Sequence, residues 1–275
     1  FVENGRAFMK KRVISAIFMI LIFVPILLLG GATFAIFMTA LSLLGLYEFI
    51  HIREKKKPFP LIVKLFAYIM VFAFAFMNFN QNVFSYNIDY HVIAFMIFAF
   101  LIPMLFLNKE KDTYDINDAL YLIGSVLFME LAFNLIVLIR NYNLNYLIYL
   151  LLITVMTDTF AYLTGSYIGK TPLAPDISPK KTVEGLVGGL LMGTFVATVF
   201  YFEVINPEIS LVFLIFITFF LALVGQLGDL VFSSIKRTFQ VKDYSDLIPG
   251  HGGILDRLDS LVFIVLAFIL VLGIL

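Results

Sequence analysis

Long hydrophobic runs alternate with short polar segments along this chain. Few of the runs carry a polar residue at every third or fourth position, as a soluble amphipathic helix would. Several runs reach the length of about 20 residues that an α-helix needs to cross a bilayer. The pattern predicts an all-α fold, a polytopic bundle of about nine transmembrane helices. The predicted spans are Val13–Gly30, Gly31–Ile50, Leu61–Met77, His91–Leu107, Ala119–Ile139, Leu144–Ile168, Val183–Phe202, Ile209–Phe232 and Leu258–Leu275.

The first two spans form one continuous apolar stretch that is too long for a single crossing. Pro25 and the pair Gly30-Gly31 interrupt it, so we expect a helical hairpin with a minimal turn at the glycines. A basic segment, Lys10–Arg12, precedes the stretch, and a cleavable signal peptide is the alternative interpretation. The hydrophobic stretch runs directly into a second span, which favours the hairpin.

The distribution of basic residues predicts the orientation in the membrane. With nine spans and the N-terminus on the inner side, all but one of the 19 Lys and Arg residues fall on that side. The exception is Arg140, and the inner residues include Lys109 and Lys111 after the fourth span. The positive-inside rule therefore predicts a cytoplasmic N-terminus and an outer C-terminus. The cluster Arg53–Lys57 is most simply an anchor for anionic head groups.

Composition confines the chemistry to the C-terminal part of the chain. The chain is 61% hydrophobic and 14% charged, and it has no Cys, which excludes disulfides and thiolate metal sites. The first four spans, in residues 1–112, carry almost no ionisable residue and are interpreted as a scaffold. Residues 113–275, with spans five to nine, are expected to form the catalytic region, with the active site on the cytoplasmic side.

The densest charge lies between the last two spans. Asp256 and Asp259 are three residues apart, so on a helix their carboxylates share a face. Because like charges repel at that distance, a bound divalent cation is one resolution, and Asp229 is a candidate third ligand. Oxygen donors without thiolates favour Mg²⁺, with a second cation as an option. From local physics alone, a set of surface ion pairs with nearby basic residues is an equally good interpretation.

A second charged segment contains the sequence SPKKTVEG at Ser178–Gly185. Pro179, the hydroxyl residues and Glu184 favour the start of a helix here. Free backbone N–H groups beside two Lys residues would suit a phosphate. A simple helix cap, with lysines that snorkel to the lipid boundary, explains the same residues equally well.

Further polar residues are candidates for the walls of the site. Asp158 lies inside the sixth span, where a carboxylate needs a partner or a watery cavity, and Glu130 and Gln226 are weaker cases. The glycines of Pro249–Gly253 let the backbone approach a ligand closely. His251 in this turn is a candidate phosphate donor or proton shuttle, although a loop His is more often only a hydrogen-bond partner.

These residues together resemble the signature of the phosphatidate cytidylyltransferases (CDP-diacylglycerol synthases). The matching positions run from Ser233 to Asp259 as S-x-I-K-R-x4-K-D-x-S-x2-I-P-x-H-G-G-I-x-D-R-L-D. The S-P-K-K-T-x-E-G element and a D-x-x-A-Y element at Asp158–Tyr162 precede it in the order of the family. The pair Tyr244-Ser245 departs from the family pattern, where Ser-Gly is expected; this departure touches the loop and no expected ligand.

The resemblance implies the reaction CTP + phosphatidate → CDP-diacylglycerol + pyrophosphate, with Mg²⁺, at a multi-pass protein of the cell inner (cytoplasmic) membrane. The implied catalytic residues are Asp229, Lys236, Arg237, Lys242, Asp243, His251, Asp256, Arg257 and Asp259. The implied substrate-binding residues are Asp158, Ser178, Lys180, Lys181, Thr182 and Glu184, and the expected Mg²⁺ ligands are Asp229, Asp256 and Asp259. The expected partners are CTP, phosphatidate and membrane lipids, with no nucleic acid and with a homodimer as an option.

Two other functions are open alternatives. A CTP-dependent kinase of a polyprenol or phytol hydroxyl would release CDP instead of pyrophosphate. A transporter would use Asp158, Glu130 and Asp229 as an intramembrane relay, with charges at the midplane of several helices and an inverted repeat. Most of the charge instead lies in segments predicted at one cytoplasmic mouth, which favours the transferase.

Overall fold

The computed structural model describes residues 2–78, 83, 90–107, 113–273 and 275. Lys109 and Lys111, which belong to the predicted inner charge, lie outside these residues. Within the described ranges the chain forms nine α-helices, and each coincides with one predicted span. They are α1 (Val2–Leu29), α2 (Gly31–Glu54), α3 (Leu61–Asn78), α4 (Tyr90–Leu107), α5 (Ile116–Tyr142), α6 (Leu144–Ile168), α7 (Val183–Phe200), α8 (Leu211–Thr238) and α9 (Leu255–Val271).

Two short strands and one π-helical turn complete the described elements. The strands β1 (Pro172–Ala174) and β2 (Ser178–Thr182) form an antiparallel hairpin between α6 and α7. The π-helical turn Tyr201–Ile205 extends α7. The prediction of an all-α helical membrane protein is confirmed, with this small hairpin as an addition to it.

Six of the helices are long and apolar enough to cross a membrane by length and composition: α2, α4, α5, α6, α7 with its π-helical turn, and α8. The apolar parts of α1 and α3 are shorter, at Val13–Leu29 and Leu61–Ala75. The helix α9 has 17 residues and begins with charged positions. The count of nine spans and the cytoplasmic N-terminus remain predictions.

Arg140, the one basic residue that does not follow the positive-inside pattern, contacts the turn between α1 and α2. Gly30 and Gly31 have φ of 63° and 53°, the left-handed region in which a residue without Cβ is at ease. Arg140 donates from Nε to the Leu27 carbonyl at 2.9 Å and from Nη2 to the Leu28 carbonyl at 2.7 Å. Its charge therefore satisfies the carbonyl end of α1, the end of a helix that attracts cations.

The chain divides into two compact units. Unit 1 comprises Phe1–Asn141 and Val241–Asp256, and unit 2 comprises Tyr142–Gln240 and Arg257–Leu275. The loop before α9 and the first two residues of α9 thus belong with the N-terminal helices. The division into a scaffold before residue 113 and a catalytic region after it is a functional one, and it stays a prediction.

In unit 1, an ion-pair cluster joins the end of α2 to the start of α5. Asp118 is 1% exposed and accepts from Arg53 and, at 2.6 Å, from Lys57 Nζ. Lys57 also lies 3.4 Å from Asp115. A hydrogen bond from the Asp118 backbone N–H is the main cause that lowers the pKa of Asp115, and Lys57 adds to it. Two basic residues of the predicted lipid anchor therefore hold two helices together.

In unit 2, α6 and α7 pack closely through a row of glycines. Gly185, Gly189 and Gly193 are spaced four residues apart, the small-xxx-small pattern that lets helix backbones approach in a membrane. A Cβ added at Gly189 would lie 2.6 Å from the Thr157 carbonyl oxygen, and one at Gly193 would lie 2.1 Å from Thr157 Oγ1. The glycines are therefore required by the contact with α6.

We expect Gly189→Ala to destabilise the protein by about 1–3 kcal/mol, because a Cβ cannot fit against a backbone carbonyl without moving a helix. The matched control is Gly124→Ala in α5, where a Cβ meets nothing within 4 Å and the better helix propensity of Ala should leave stability equal or slightly higher. The measurement is thermal unfolding in detergent by circular dichroism, since the chain has no Trp. Equal unfolding temperatures for the two variants would contradict the packing argument.

Candidate active site

A chain of polar contacts crosses unit 2 from the hairpin to α6. Lys181, at the end of β2, lies with Nζ 2.6 Å from Asp229 Oδ2 on α8. The same Nζ donates to Gln226 Oε1 at 3.4 Å, and Gln226 Nε2 donates to Asp158 Oδ1 on α6 at 2.8 Å. Ser233 Oγ donates to the other Asp229 oxygen at 3.3 Å. The predicted substrate-binding residues Lys181 and Asp158 are thus connected through the side-chain amide of Gln226. Lys181 also contacts Asp229, a predicted metal ligand. Gln226 was only a weaker candidate in the sequence analysis.

The carboxylate of Asp259 on α9 belongs to the same acidic set. It feels the negative charges of Asp229 and Asp158, and the positive charge of Lys236. Its Oδ1 accepts from the Ser260 backbone N–H at 2.8 Å. Lys236 is 8% exposed, so its ammonium is held inside the protein and not at a lipid or water surface. Three carboxylates and two ammonium groups therefore share one electrostatic environment in unit 2.

Asp158 sits unusually deep for an accessible carboxylate. It lies ten residues before the end of α6, about 15 Å along the helix axis. Its side chain is nevertheless exposed. A carboxylate at that depth needs a polar surround, and Gln226 and the charge of Arg257 provide part of it. This placement supports the expectation that Asp158 lines a polar cavity.

The structure confirms the predicted helix start, because α7 begins at Val183, where the seventh span was placed, with Glu184 in its first turn, and it adds a strand hairpin before that start which was not predicted. Ser178–Thr182 is the strand β2, paired with β1 through Ala174↔Ser178 and Pro172↔Thr182, and α7 begins at Val183. The strand ends and the helix begins at this point because Thr182 caps α7: its Oγ1 accepts from the Gly185 N–H at 3.1 Å. The extended strand separates the lysines, so that Lys180 is exposed while Lys181 reaches α8.

Glu184 contacts the segment just before the hairpin and no lysine side chain in the hydrogen bonds of the described residues. Its carboxylate accepts from the Lys170 N–H at 3.1 Å, from the Thr171 N–H at 3.2 Å and from Thr171 Oγ1 at 2.9 Å. These bonds fix the segment that leaves α6 and leads into β1. A role for Glu184 in binding substrate stays a prediction, and its structural role is to hold the hairpin.

The remaining basic residues of the signature occupy distinct positions. In unit 2, Arg237 donates from Nε to the Ile177 carbonyl at 3.1 Å, which joins the end of α8 to the hairpin, and Arg257 is exposed on α9. In unit 1, Lys242 and Asp243 are exposed at the start of the loop before α9. Their predicted catalytic roles are not tested by these contacts.

In unit 1, two carboxylates organise the loop before α9. Asp256 Oδ2 accepts from the backbone N–H groups of Tyr244 and Gly253, each at 2.9 Å. Glu48, on α2, is fully buried and accepts from the N–H groups of Ile254 and Leu255, each at 2.8 Å. The first backbone donors of α9 thus point at a carboxylate, an arrangement that the helix dipole favours.

The glycines of the loop are explained by these carboxylates. Gly250 and Gly252 have φ of 78° and 80°. A Cβ at Gly252 would lie 2.8 Å from Asp256 Oδ2, and one at Gly253 would lie 2.2 Å from Glu48 Oε1. The sequence analysis expected these glycines to let the backbone approach a ligand. In the described residues, the backbone instead lies close to the side chains of Asp256 and Glu48.

His251 has a partner on α1. Its Nδ1 lies 2.8 Å from Ser15 Oγ, and that hydroxyl also lies 3.1 Å from the Pro249 carbonyl oxygen. The turn around it is closed by the bridge between Ile248 and Gly252. The interpretation of His251 as a hydrogen-bond partner agrees with this contact, and a catalytic role stays a prediction.

The residues that depart from the family signature have structural roles in this loop. Tyr244 is fully buried and packs edge-on against Phe49, with ring centroids 5.7 Å apart. Ser245 donates its hydroxyl to Glu48 at 2.5 Å, as the third donor to that carboxylate. The pair Tyr244-Ser245 therefore anchors the loop to α2.

Glu48 is the residue that sequence reasoning missed. The N-terminal helices were interpreted as a scaffold with almost no ionisable residue, and Glu48 lies near the end of the second predicted span. A signal was present, because a carboxylate next to an apolar run demands a partner. Its partners Ile254 and Leu255 lie 206 and 207 positions later in the chain, so the sequence alone could not identify them.

In the described part of the chain, no group of three or more His, Cys, Asp or Glu side chains is arranged to hold a metal ion. The Lys181 ammonium, at 2.6 Å, instead places a positive charge on Asp229. Asp229 and Asp259 are hard oxygen donors whose mutual repulsion a cation would relieve, so their chemistry fits Mg²⁺. Asp256 has one carboxylate oxygen engaged by two backbone donors. The Mg²⁺ ligand set stays a prediction.

Apolar helices of membrane-spanning length that carry charged, hydrogen-bonded side chains inside them define an integral membrane protein with a polar site built into its bundle. Comparison with known proteins then gives the family. Residues 10–275 match the sequence model of the cytidylyltransferase family. The chain belongs to this family, and it is an enzyme of the nucleotidyltransferase class.

The similar proteins share nearly their whole length with this chain. The phosphatidate cytidylyltransferase of Staphylococcus haemolyticus is 34% identical over 256 residues, 93% of this chain and 96% of the relative. That of Bacillus subtilis is 33% identical over 260 residues, with 93% and 94% covered. That of Staphylococcus aureus strain COL is 35% identical over 257 residues, with 93% and 96% covered.

We expect Glu48→Ala to loosen the start of α9, because buried backbone donors lose their acceptor at a cost of about 1–3 kcal/mol each. Hydrogen exchange of the Ile254 and Leu255 amides should accelerate at least about tenfold. Glu203→Ala, an exposed carboxylate of unit 2, is the control and should leave both amides unchanged. Unaltered protection in Glu48→Ala would show that the loop is held by other contacts.

Proposed function

We propose that this protein transfers CMP from CTP to phosphatidate, giving CDP-diacylglycerol and pyrophosphate for phospholipid biosynthesis. The observation that carries the proposal is the match to phosphatidate cytidylyltransferases over 93% of the chain, at about one third identity. The charged set of unit 2 supports it independently. Ammonium groups close to carboxylates inside a helical bundle suit a substrate that carries phosphates and a metal.

The reaction is an in-line displacement at phosphorus. An oxygen of the phosphatidate phosphate forms a bond to the α-phosphorus of CTP, and the bond from that phosphorus to the bridging β-phosphate oxygen breaks. Pyrophosphate leaves with the bonding electron pair. Since the lipid phosphate is already ionised, the protein does not need a general base, and positioning and charge stabilisation supply the catalysis.

The basic residues neutralise the phosphates in this proposal. Lys181 and Lys236 are held inside unit 2, next to carboxylates, and each can offer N–H donors to a phosphate oxygen. Lys180 faces outward from β2, where the phosphate of a membrane lipid would meet it. A phosphate that binds beside Asp229 gives the Lys181 ammonium a second anionic partner, so the same residue serves the carboxylate and the substrate.

Mg²⁺ is the proposed cofactor. Asp229 and Asp259 would hold it, and Asp256 is the third expected ligand on the sequence signature. When bound, the ion supplies positive charge that offsets the charge developing on the phosphoryl oxygens. Gln226 and Ser233 orient Asp158 and Asp229 through the hydrogen bonds described above, and the second cation of the sequence analysis remains a proposal of the same kind.

The proposed location is the cytoplasmic membrane, with the site open to the cytoplasm. The distribution of Lys and Arg along the sequence supports this orientation. CTP is a cytosolic nucleotide, so a site on that side gives it access, while phosphatidate arrives within the membrane. CTP, phosphatidate and surrounding lipids are therefore the proposed partners.

The reaction is tested with the purified protein, CTP labelled in its α-phosphate, and phosphatidate in mixed micelles with Mg²⁺. We expect the label in the lipid product and pyrophosphate in equal amount. Free CDP with phosphorylated lipid would instead identify a CTP-dependent kinase, because a kinase transfers the γ-phosphate. In a separate arm, dolichol or phytol replaces phosphatidate; we expect neither labelled lipid nor labelled CDP, whereas labelled CDP with phosphorylated alcohol would identify the kinase.

We expect Asp229→Asn and Asp259→Asn each to lower turnover by about 100-fold or more, because each removes a charge from the proposed cation site. Asp176→Asn, an exposed carboxylate of the hairpin in the same unit, is the matched control and should keep normal turnover. Circular dichroism verifies that all three proteins are folded. Near-normal turnover in both site variants would refute the assignment of these ligands.

A further inference from the structure

A cavity in unit 1 has several polar lining residues, and none of its lining residues is used in the proposed reaction. It lies between α2 and α5, and four of its lining side chains carry oxygen: Thr39, Ser42, Glu130 and Asn134. The other lining residues are apolar. About 10 Å³ of it is open to the centre of a water-sized sphere, which is room for one water-sized occupant.

Glu130 is the group that demands an explanation. It is 3% exposed and lies near the midpoint of α5, a helix long and apolar enough to cross the membrane. Asn134 Nδ2 donates to Glu130 Oε1 at 3.2 Å, and this is the side-chain hydrogen bond that the described residues provide to it. A carboxylate so placed is costly unless its charge is neutralised, and the ion pairs that neutralise Asp118 and Asp229 have no counterpart here in the described residues.

Two neighbouring oxygens lack partners as well. Ser42 Oγ and Asn134 Oδ1 are buried and have no hydrogen-bond partner among the described residues. Ser42 is 1% exposed and Asn134 is 5% exposed. Thr39 donates its hydroxyl hydrogen to the Ala35 carbonyl at 2.8 Å, which leaves the lone pairs of its oxygen available. The cavity therefore presents oxygen acceptors and a single formal charge.

We propose that this cavity is a site for one monovalent cation, Na⁺ or K⁺. One carboxylate and three neutral oxygens give a charge that balances a single positive ion, and hard oxygen donors suit alkali cations as they do other hard cations. A proton on Glu130 would neutralise the carboxylate but would supply only one O–H donor for two oxygens without partners among the described residues, Ser42 Oγ and Asn134 Oδ1. The cation neutralises Glu130 and gives the neutral oxygens a partner at once.

The site has a structural consequence for the N-terminal helices. It joins α2, through Thr39 and Ser42, to α5, through Glu130 and Asn134, within the span region. The ion pairs of Asp118 join the same two helices near one end. The cation thus joins the two helices at a second level, and unit 1 gains stability that rises with the logarithm of the cation concentration once this exceeds the dissociation constant.

The test is thermal unfolding of the whole protein in detergent, followed by circular dichroism at constant ionic strength. NaCl or KCl replaces N-methylglucamine chloride stepwise, and the two salts are compared to identify the preferred ion. We expect a rise in the unfolding temperature that continues with the logarithm of the cation concentration, on the order of 5 °C when the cation is about 100 times above its dissociation constant. An unfolding temperature that does not respond to either cation would overturn the proposal in favour of a neutral Glu130 beside a water molecule.

Variants assign the response to this cavity. Glu130→Gln should abolish the cation dependence, and Ser42→Ala should shift the rise in unfolding temperature to cation concentrations about tenfold or more higher. Ser125→Ala is the matched control, since Ser125 is a buried serine on α5 that does not line the cavity, and it should respond like the unaltered protein. If Glu130→Gln does not fold, Ser42→Ala still decides. An equal response in Ser42→Ala and Ser125→Ala would place the cation elsewhere and overturn the proposal.

Discussion

The cost of a carboxylate inside an apolar helical bundle is the constraint on which this structure depends. Three acids are satisfied in different ways: the buried Glu48 by three hydrogen-bond donors, the buried Asp118 by two cations, and the half-buried Asp229 by the Lys181 ammonium. Because an unpaired charge costs several kcal/mol in such surroundings, these contacts fix where loops and helices meet. Glu48 positions the loop before α9, and Asp229 holds the hairpin strand that carries Lys181.

Close backbone packing complements these electrostatic contacts. The glycine row of α7 brings that helix against α6, where Asp158 lies one residue after Thr157, the residue that Gly189 and Gly193 approach. The row thus sets the position of a helix that bears a candidate site residue. In the loop before α9, glycines likewise leave room for the carboxylates of Glu48 and Asp256. Because glycine has no Cβ, these glycines let two helix backbones pack closely in one place and let the backbone lie close to a carboxylate in the other.

The sequence predicted the helices well because their signal is local. Hydrophobic runs of membrane-spanning length identified every helix, although α1 begins at Val2 and not at Val13 and α8 continues to Thr238, and the Gly30-Gly31 turn lies where the pattern placed it. The hairpin at Ser178–Thr182 was not predicted, although the start of α7 at Val183, with Glu184 in its first turn, lies where the sequence placed it. The contact of Asp229 with Lys181 was also beyond local reasoning, which offered a cation or an ion pair with nearby basic residues for the acidic cluster. The partner is a lysine 48 positions earlier, in a segment analysed separately.

By itself, the sequence determined the class of the fold, the confinement of the signature to the C-terminal half and the resemblance to a family that the comparisons confirm. These properties follow from hydrophobic length and from residue order, which need no knowledge of contacts. The tertiary structure alone decided which charges neutralise each other. It showed that Glu48 belongs to the loop before α9, that Gln226 links Lys181 to Asp158, and that Glu130 faces neutral oxygens and no ammonium in the described residues. The physical reason is that electrostatic free energy depends on distances in space, and residues far apart in the chain set those distances.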